Sequence, residues 1–200
     1  MSLNRFGFWC RCRLTHEPAE WRVRSARRSD RRLLASFACA DPAVGFEADV
    51  EQFIQAQLID WTFAPSAADD DPRLLLAFVG TTGELFGVAA HERVTLRSSD
   101  GTEFNATKLH VAAIATPWQG RRFHIGERAS DVLMSAVMSD ISARVPPRDA
   151  RVFGIVHQEN QRSIALCLRY GLVEEMSSPD PNYRRLITAN RRRTQDSDRP

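Results

Sequence analysis

Between Arg73 and Thr116 the chain carries three β-type apolar runs in succession, and no other feature constrains its fold as much. Arg73–Gly80 and Leu85–Leu96 are joined by Thr81-Thr82-Gly83-Glu84, while Lys108–Thr116 follows a second turn, Ser98–Thr102, that contains Asp100-Gly101. Glycine in such turns supplies the positive φ that tight hairpin connections need. Runs linked in this way predict three consecutive antiparallel strands. The runs are apolar on both faces, so each side of the sheet needs a covering layer.

The rest of the sequence supplies that cover. Trp21–Ala26 alternates apolar and polar residues and reads as a half-buried first strand. Ser29-Asp30 offers an N-cap for a helix with Leu33, Leu34 and Phe37, and Glu47–Trp61 places Val50, Ile54, Leu58 and Trp61 on one helical face. Pro65 to Pro72 reads as a loop. After the strand block, Ile125–Ala143 has Ala129, Leu133, Ala136, Val137 and Ile141 at helical spacing, and Pro146-Pro147 stops it. Arg151–Val156 is a short strand, Asn160–Arg169 a helix ended by Tyr170-Gly171, and Tyr183–Thr188 a last strand. The order β-α-α-β-β-β-α-β-α-β-β predicts an α/β (α+β) domain over 21–188, a mixed, mostly antiparallel sheet flanked by helices. Residues 1–20 read as an N-terminal extension and 189–200 as a disordered Arg-rich tail.

Composition narrows the function classes. A chain of 200 residues suits one domain. No apolar run approaches the roughly 18–20 residues that cross a bilayer, and Arg11, Arg13 and Glu17 interrupt any secretory pattern. A cytoplasmic protein is the expectation. Residues 1–32 hold nine Arg against three acids and residues 184–200 six against two, which leaves the 33–183 body at about −8. Arg-rich ends on an acidic body read as solvated tails, and nucleic-acid contact through those ends is the weaker alternative. Four scattered cysteines make no disulfide framework, and Cys10, Cys12, His16 and Cys39 match no strong zinc signature, so no metal is expected.

The chemistry concentrates where Ile114-Ala115-Thr116-Pro117-Trp118 runs into Gln119-Gly120-Arg121-Arg122-Phe123-His124-Ile125-Gly126 and then a helix. Orphan N–H groups and the helix macrodipole make such a turn a natural phosphate cradle. Gly120 and Gly126 let the backbone approach a ligand closely, and Arg121 and Arg122 bring charge suited to phosphate.

This segment resembles the pyrophosphate-binding region of the GNAT acyltransferase superfamily, whose pattern is roughly V-x-P-x-(aromatic)-(Q/R)-G-x-G-x-G. Ile114, Trp118, Gln119 and Gly120 are in register. Beyond them, either Arg122 and His124 replace two glycines, or a two-residue insertion makes Arg121-x-x-His124-x-Gly126 the equivalent, and the helical spacing after Ile125-Gly126 favours the insertion. A second stretch resembles the family's N-x-x-(A/S)-x-x-L-Y-x-x-x-G-F through Asn160, Ser163 and Gly171-Leu172, with Cys167 in place of the Tyr. The resemblance spans about residues 21–188 and is clearest from 108 to 176.

The resemblance implies a mixed sheet with the donor in a V-shaped gap between the fourth and fifth strands. It implies acetyl-CoA as acyl donor and an amine of a small molecule or protein as acceptor. The cofactor-binding set it implies is Ile114, Ala115, Gln119, Gly120, Arg121, Arg122, His124, Ile125, Gly126, Asn160 and Ser163, with a backbone N–H near Ile114 or Ala115 facing the developing oxyanion. Cys167 is the candidate proton donor, and Tyr170, three residues on, its substitute. Glu92, His91 and His110 are the candidate bases, and strand alternation puts His91 and Glu92 on opposite faces, so at most one of them faces the cleft. The competing expectation is a catalytically degenerate domain that binds acyl-CoA as a sensor or interaction module. Homodimer formation stays open.

Overall fold

The computed structural model describes residues 20–64, 70–98, 100–145, 151–175 and 180–188. The expected N-terminal extension up to residue 19, most of the 65–72 loop, Cys10, Cys12, His16 and the Arg-rich tail lie outside the described residues.

Seven strands form one sheet in the order β1-β2-β3-β4-β5-β7-β6. They are β1 Trp21–Ser25, β2 Arg73–Val79, β3 Leu85–Arg97, β4 Glu103–Ile114, β5 Val152–His157, β6 Leu172–Glu175 and β7 Tyr183–Thr188. Every neighbouring pair is antiparallel except β4 with β5. The helices are α1 Arg31–Leu34, α2 Phe46–Gln52, α3 Leu58–Thr62, α4 Ala129–Arg144 and α5 Gln161–Arg169.

The apolar runs of the three-strand block feed two cores. Leu75, Ala77, Phe86 and Leu109 face α4, whose Leu133, Met134, Val137 and Ile141 complete that layer. Leu74, Leu76, Val88 and Val111 face the other way, against Leu34, Ile54 and Leu58. Period-two alternation with both faces covered explains why β2 is buried almost throughout.

β4 begins at Glu103 rather than at Lys108, and three expectations for the helices change. The segment 47–61 is helical, but a π turn at Phe53–Gln57 separates α2 from α3, with the Leu58 N–H donating to the Phe53 carbonyl. The wider turn rotates α3 about its axis, so that Leu58 and Ile59 are both fully inside. Asp30 caps no long helix. Its carboxylate receives the Arg24 guanidinium at 2.7 and 2.8 Å and the Arg27 N–H at 2.7 Å, which ties β1 to the turn after it. Third, α4 begins at Ala129 rather than near Ile125, so the connection after β4 is longer than its apolar spacing implies.

The sheet parts in the middle. β4 and β5 pair only over Thr107–Leu109 with Val152–Gly154. Beyond that, β4 stays with β3 as far as Ile114 opposite Gly87, and β5 stays with β7 as far as His157 opposite Tyr183. The parting starts at a bulge: Ala90 lies opposite Val111 and His91 opposite Leu109, which leaves His110 as the extra residue. A bulge bends its strand and increases local twist, which swings the end of β4 away from β5. Among the described residues no helix is long and apolar enough to cross a membrane.

Candidate active site

The parted strands frame an open cavity of about 1140 Å³ that runs between β4 and β5. Its two ends differ in charge. Arg121, Arg122, Arg128, Arg162 and Arg169 line the end beside the loop, the start of α4 and the length of α5, whereas Asp41, Glu47 and Asp49 line the end beside α2.

At the cationic end the chain leaves β4 through Trp118 and turns at Gly120, whose φ of +74° a residue with a Cβ adopts only with strain. The backbone N–H groups of Gly120, Arg122 and Ser130 have no hydrogen-bond partner among the described residues. Residues 122–128 then make a tight excursion, closed by the Phe123 N–H on the Glu127 carbonyl at 2.8 Å and the Ala129 N–H on the Arg121 carbonyl at 3.2 Å. Phe123 is the pin: its ring packs on Phe86 and Trp118, with centroids 5.3 and 5.6 Å away.

That excursion carries His124, Ile125 and Gly126 away from the cavity, none of them lining it. The His124 N–H donates to the Glu20 carboxylate at 3.0 Å, Ile125 is 65% exposed, and the Gly126 carbonyl receives the Arg122 guanidinium at 2.6 Å. The insertion register expected for His124 and Gly126 therefore gives way to one in which Arg128, not a glycine, precedes α4. Ala115 also falls out of the expected set. Its N–H donates to the Phe86 carbonyl at 2.9 Å, inside the β3–β4 ladder. Ladder alternation then turns the Ile114 N–H to the opposite side, the side that β5 has vacated.

Gln119 and Asn160 line the cavity, but their side chains are engaged. The Gln119 amide donates to the carbonyls of Cys39 and, at 3.1 Å, Ile114, and its oxygen accepts from Arg162 at 2.7 Å. One side chain thus joins the α1–α2 connection, β4 and α5. Asn160 Oδ1 accepts the Ser163 N–H at 3.0 Å, the N-cap bond of α5, and leaves its NH₂ without a partner among the described residues.

Cys167 lines the cavity at 4% exposure, and burial pushes its thiol up from the ordinary value. Tyr170 does not line it. Its hydroxyl donates to the Asp131 carbonyl at 2.8 Å and shares a hydrogen bond with Ser135 at 2.9 Å, so it braces α5 against α4.

At the acidic end His110 lines the cavity and Glu92 stands behind it, with Nε2 2.6 Å from Oε1. Trp61 packs on the imidazole at 4.6 Å. Burial pulls His110 below its usual value, and the Glu92 hydrogen bond opposes that only in part. His91 points to the other face, buried at 3% exposure with Nε2 3.1 Å from Asp140 of α4. Across the opening, His157 stacks on Phe46 at 4.5 Å and meets Tyr183 edge-on at 5.2 Å. Cys39 also lines this region, its thiol pushed up to about 11 by burial and by Glu51 and Glu47.

Arg128, Arg162, Arg169, His157 and Tyr183 escape a sequence reading. The one usable signal is helical spacing, which sets Arg162 and Arg169 seven residues apart beside Ser163.

No family model and no curated protein sequence matches the chain. Solved structures do. PaiA N-acetyltransferase from Thermoplasma acidophilum, in complex with coenzyme A, superposes with a TM-score of 0.60 at 11% identity, over 84% of this chain and 98% of that one. A mutant of the toxin AtaT, bound to the C-terminus of the antitoxin AtaR and acetyl-CoA, gives 0.57 at 14% identity over 86% and 94%. The chain has the GNAT fold. Naa50 from Arabidopsis thaliana, in complex with a bisubstrate analogue, adds a third GNAT example at 0.53 and 12% identity, over 85% and 99%. Within its GNAT fold this chain departs from the G-x-G loop pattern by the 122–128 excursion and by arginine just before α4.

Proposed function

We propose that the protein is an acyl-CoA-dependent N-acyltransferase that moves an acetyl group from acetyl-CoA to an amine of a small molecule or protein. The observation that carries this reading is the parting of β4 and β5 beside a loop whose N–H groups at Gly120, Arg122 and Ser130 are unpartnered among the described residues and ringed by arginine. Such donors at a helix start suit a diphosphate, and the vacated edge of β4 suits an extended pantetheine arm. Coenzyme A or acetyl-CoA in the structures of PaiA and AtaT supports the donor class.

In this reading the thioester carbonyl lies against the Ile114 N–H, which steadies the oxyanion that forms on attack. Cys167 lines the cavity and keeps its proton at neutral pH, because burial disfavours its thiolate, and in this reading it hands that proton to the departing sulfur. The carboxylates of Asp41, Glu47 and Asp49 favour an acceptor that arrives as a cation.

Calorimetry with coenzyme A, followed by acetyl transfer to a panel of primary amines, tests the reading. Arg122→Ala and Arg128→Ala should each weaken coenzyme A binding by about tenfold, the scale of one charge-assisted hydrogen bond. No binding at millimolar coenzyme A rejects the reading. A second reading, an acyl-CoA-binding module without turnover, draws on the buried Cys167 in place of the family's Tyr. Tight binding with no transfer to any amine would select it.

A further inference from the structure

We propose that His110 is the group that takes the proton from the acceptor amine, held in place by Glu92 as a positioning residue. This inference rests on the acyltransferase reading above and adds the catalytic group at its acceptor end.

The geometry has three independent parts. First, the bulge in β4 makes His110 an extra residue, so that His110 and Val111 lie on the same side of the sheet instead of alternating. Val111 enters the core beneath α3, and His110 meets Trp61 of that helix. Without the bulge the imidazole would turn toward α4. Second, Glu92 on β3 lies 2.6 Å from Nε2, and the two side chains are equally shielded at 16% exposure. A carboxylate at that distance holds the proton on Nε2 and leaves the lone pair on Nδ1. Third, Nδ1 has no partner among the described residues and is not sealed in the interior, while the ring lines the cavity.

The surroundings keep the ring neutral. Burial is the largest influence, Lys108 on the same strand acts in the same direction, and Glu92 acts against them. Trp61 of α3 contributes no charge; the titratable groups lining the same cavity include His157 of β5 and Tyr183 of β7 across the opening, and Cys39, Asp41, Glu47 and Asp49 on the side of α2. A neutral imidazole with an oriented carboxylate behind it can accept a proton and have the resulting cation stabilised at once.

The acceptor enters as R–NH₃⁺ and gives one proton to Nδ1. The freed lone pair forms the C–N bond at the thioester carbonyl carbon, and the C–S bond breaks. A second N–H proton reaches the departing sulfur, with the Cys167 thiol as relay, and His110 then releases its proton to solvent. The products are the amide, the free thiol and one proton.

His110→Gln should lower kcat by about 10²-fold or more, the usual contribution of a general base, with coenzyme A affinity unchanged. The kcat of the unaltered protein should rise with pH through the His110 titration. Glu92→Gln should lower the plateau and move this acid limb to lower pH, because the carboxylate is what holds the imidazole up; a purely structural role would leave the limb in place. NMR titration of the His110 ring, assigned by its loss in His110→Gln, reads the same shift without turnover. Unchanged kcat and acid limb in His110→Gln overturn the proposal while leaving the acyltransferase reading intact. So does a ring that titrates at or above the ordinary imidazole value or is indifferent to Glu92→Gln. An unaltered protein that binds coenzyme A and transfers to no amine overturns both.

Discussion

Tyr170 and Cys167 lie one helical turn apart, yet the structure gives them opposite surroundings. Tyr170 engages its hydroxyl with Asp131 and Ser135, outside the cavity, whereas Cys167 borders it. Tyr170→Phe should therefore lower stability by about 1 kcal/mol, the net worth of a typical intramolecular hydrogen bond, and leave acetyl transfer unaltered; urea unfolding beside a transfer assay checks both. Gln119 is a different case, because its one amide joins three segments of the cavity wall. Gln119→Ala frees the Arg162 guanidinium and unpins the loop, so coenzyme A affinity should fall although the variant removes no positive charge. Residue types were legible in the sequence at both positions. Partners were not, since two of the three that Gln119 holds lie 80 and 43 positions away along the chain.

Elements were read more securely than their ends. Tyr183–Thr188 and the first two strands of the 73–116 block stand where alternation and turn chemistry put them, because those signals are local, whereas β4 begins at Glu103, five residues before the expected Lys108. The ends that moved did so for tertiary reasons. Apolar spacing extends helix α4 back to Ile125, but Phe123 is drawn into the aromatic cluster with Phe86 and Trp118, and the chain needs the 122–128 excursion to reach it. At α5 the local signal held: Asn160 caps it and Gly171, at φ +80°, ends it. Asn160→Ala should cost about 1 kcal/mol in a urea melt. It should also loosen the α5 start, where Arg162 and Ser163 border the cavity, and this slackening should be visible as faster amide exchange at Ser163 and Ile164.

Across the whole molecule two buried histidines couple stability to pH. His91 is held below its ordinary value of 6.5, first by burial and then by Arg144 and Arg73, with Asp140 opposing, and His110 is lowered by burial too. The unfolded chain therefore binds more protons than the folded one below about 6.5. The stabilisation these rings provide is complete above that value and is lost as pH falls through it toward their lower folded values. The urea midpoint should drop from pH 7 to pH 5, and His91→Gln should flatten the drop. The arginine-lined end of the cavity makes a second prediction at this scale: coenzyme A affinity should fall as salt rises from 50 to 500 mM (roughly threefold in Debye length), and less steeply in Arg128→Ala. By itself the sequence determined the strand block, the helices on either side of it and the strand–loop–helix that bears the N–H groups unpartnered among the described residues, because periodicity, turn residues and helix ends act over a few positions. Only the tertiary structure decided that β4 and β5 part after Leu109 and Gly154, that a bulge turns His110 to meet Glu92, and that five arginines gather at one end of the opening. Those outcomes depend on which strand pairs with which and on where each pairing stops, and that is settled by contacts between segments distant in the chain.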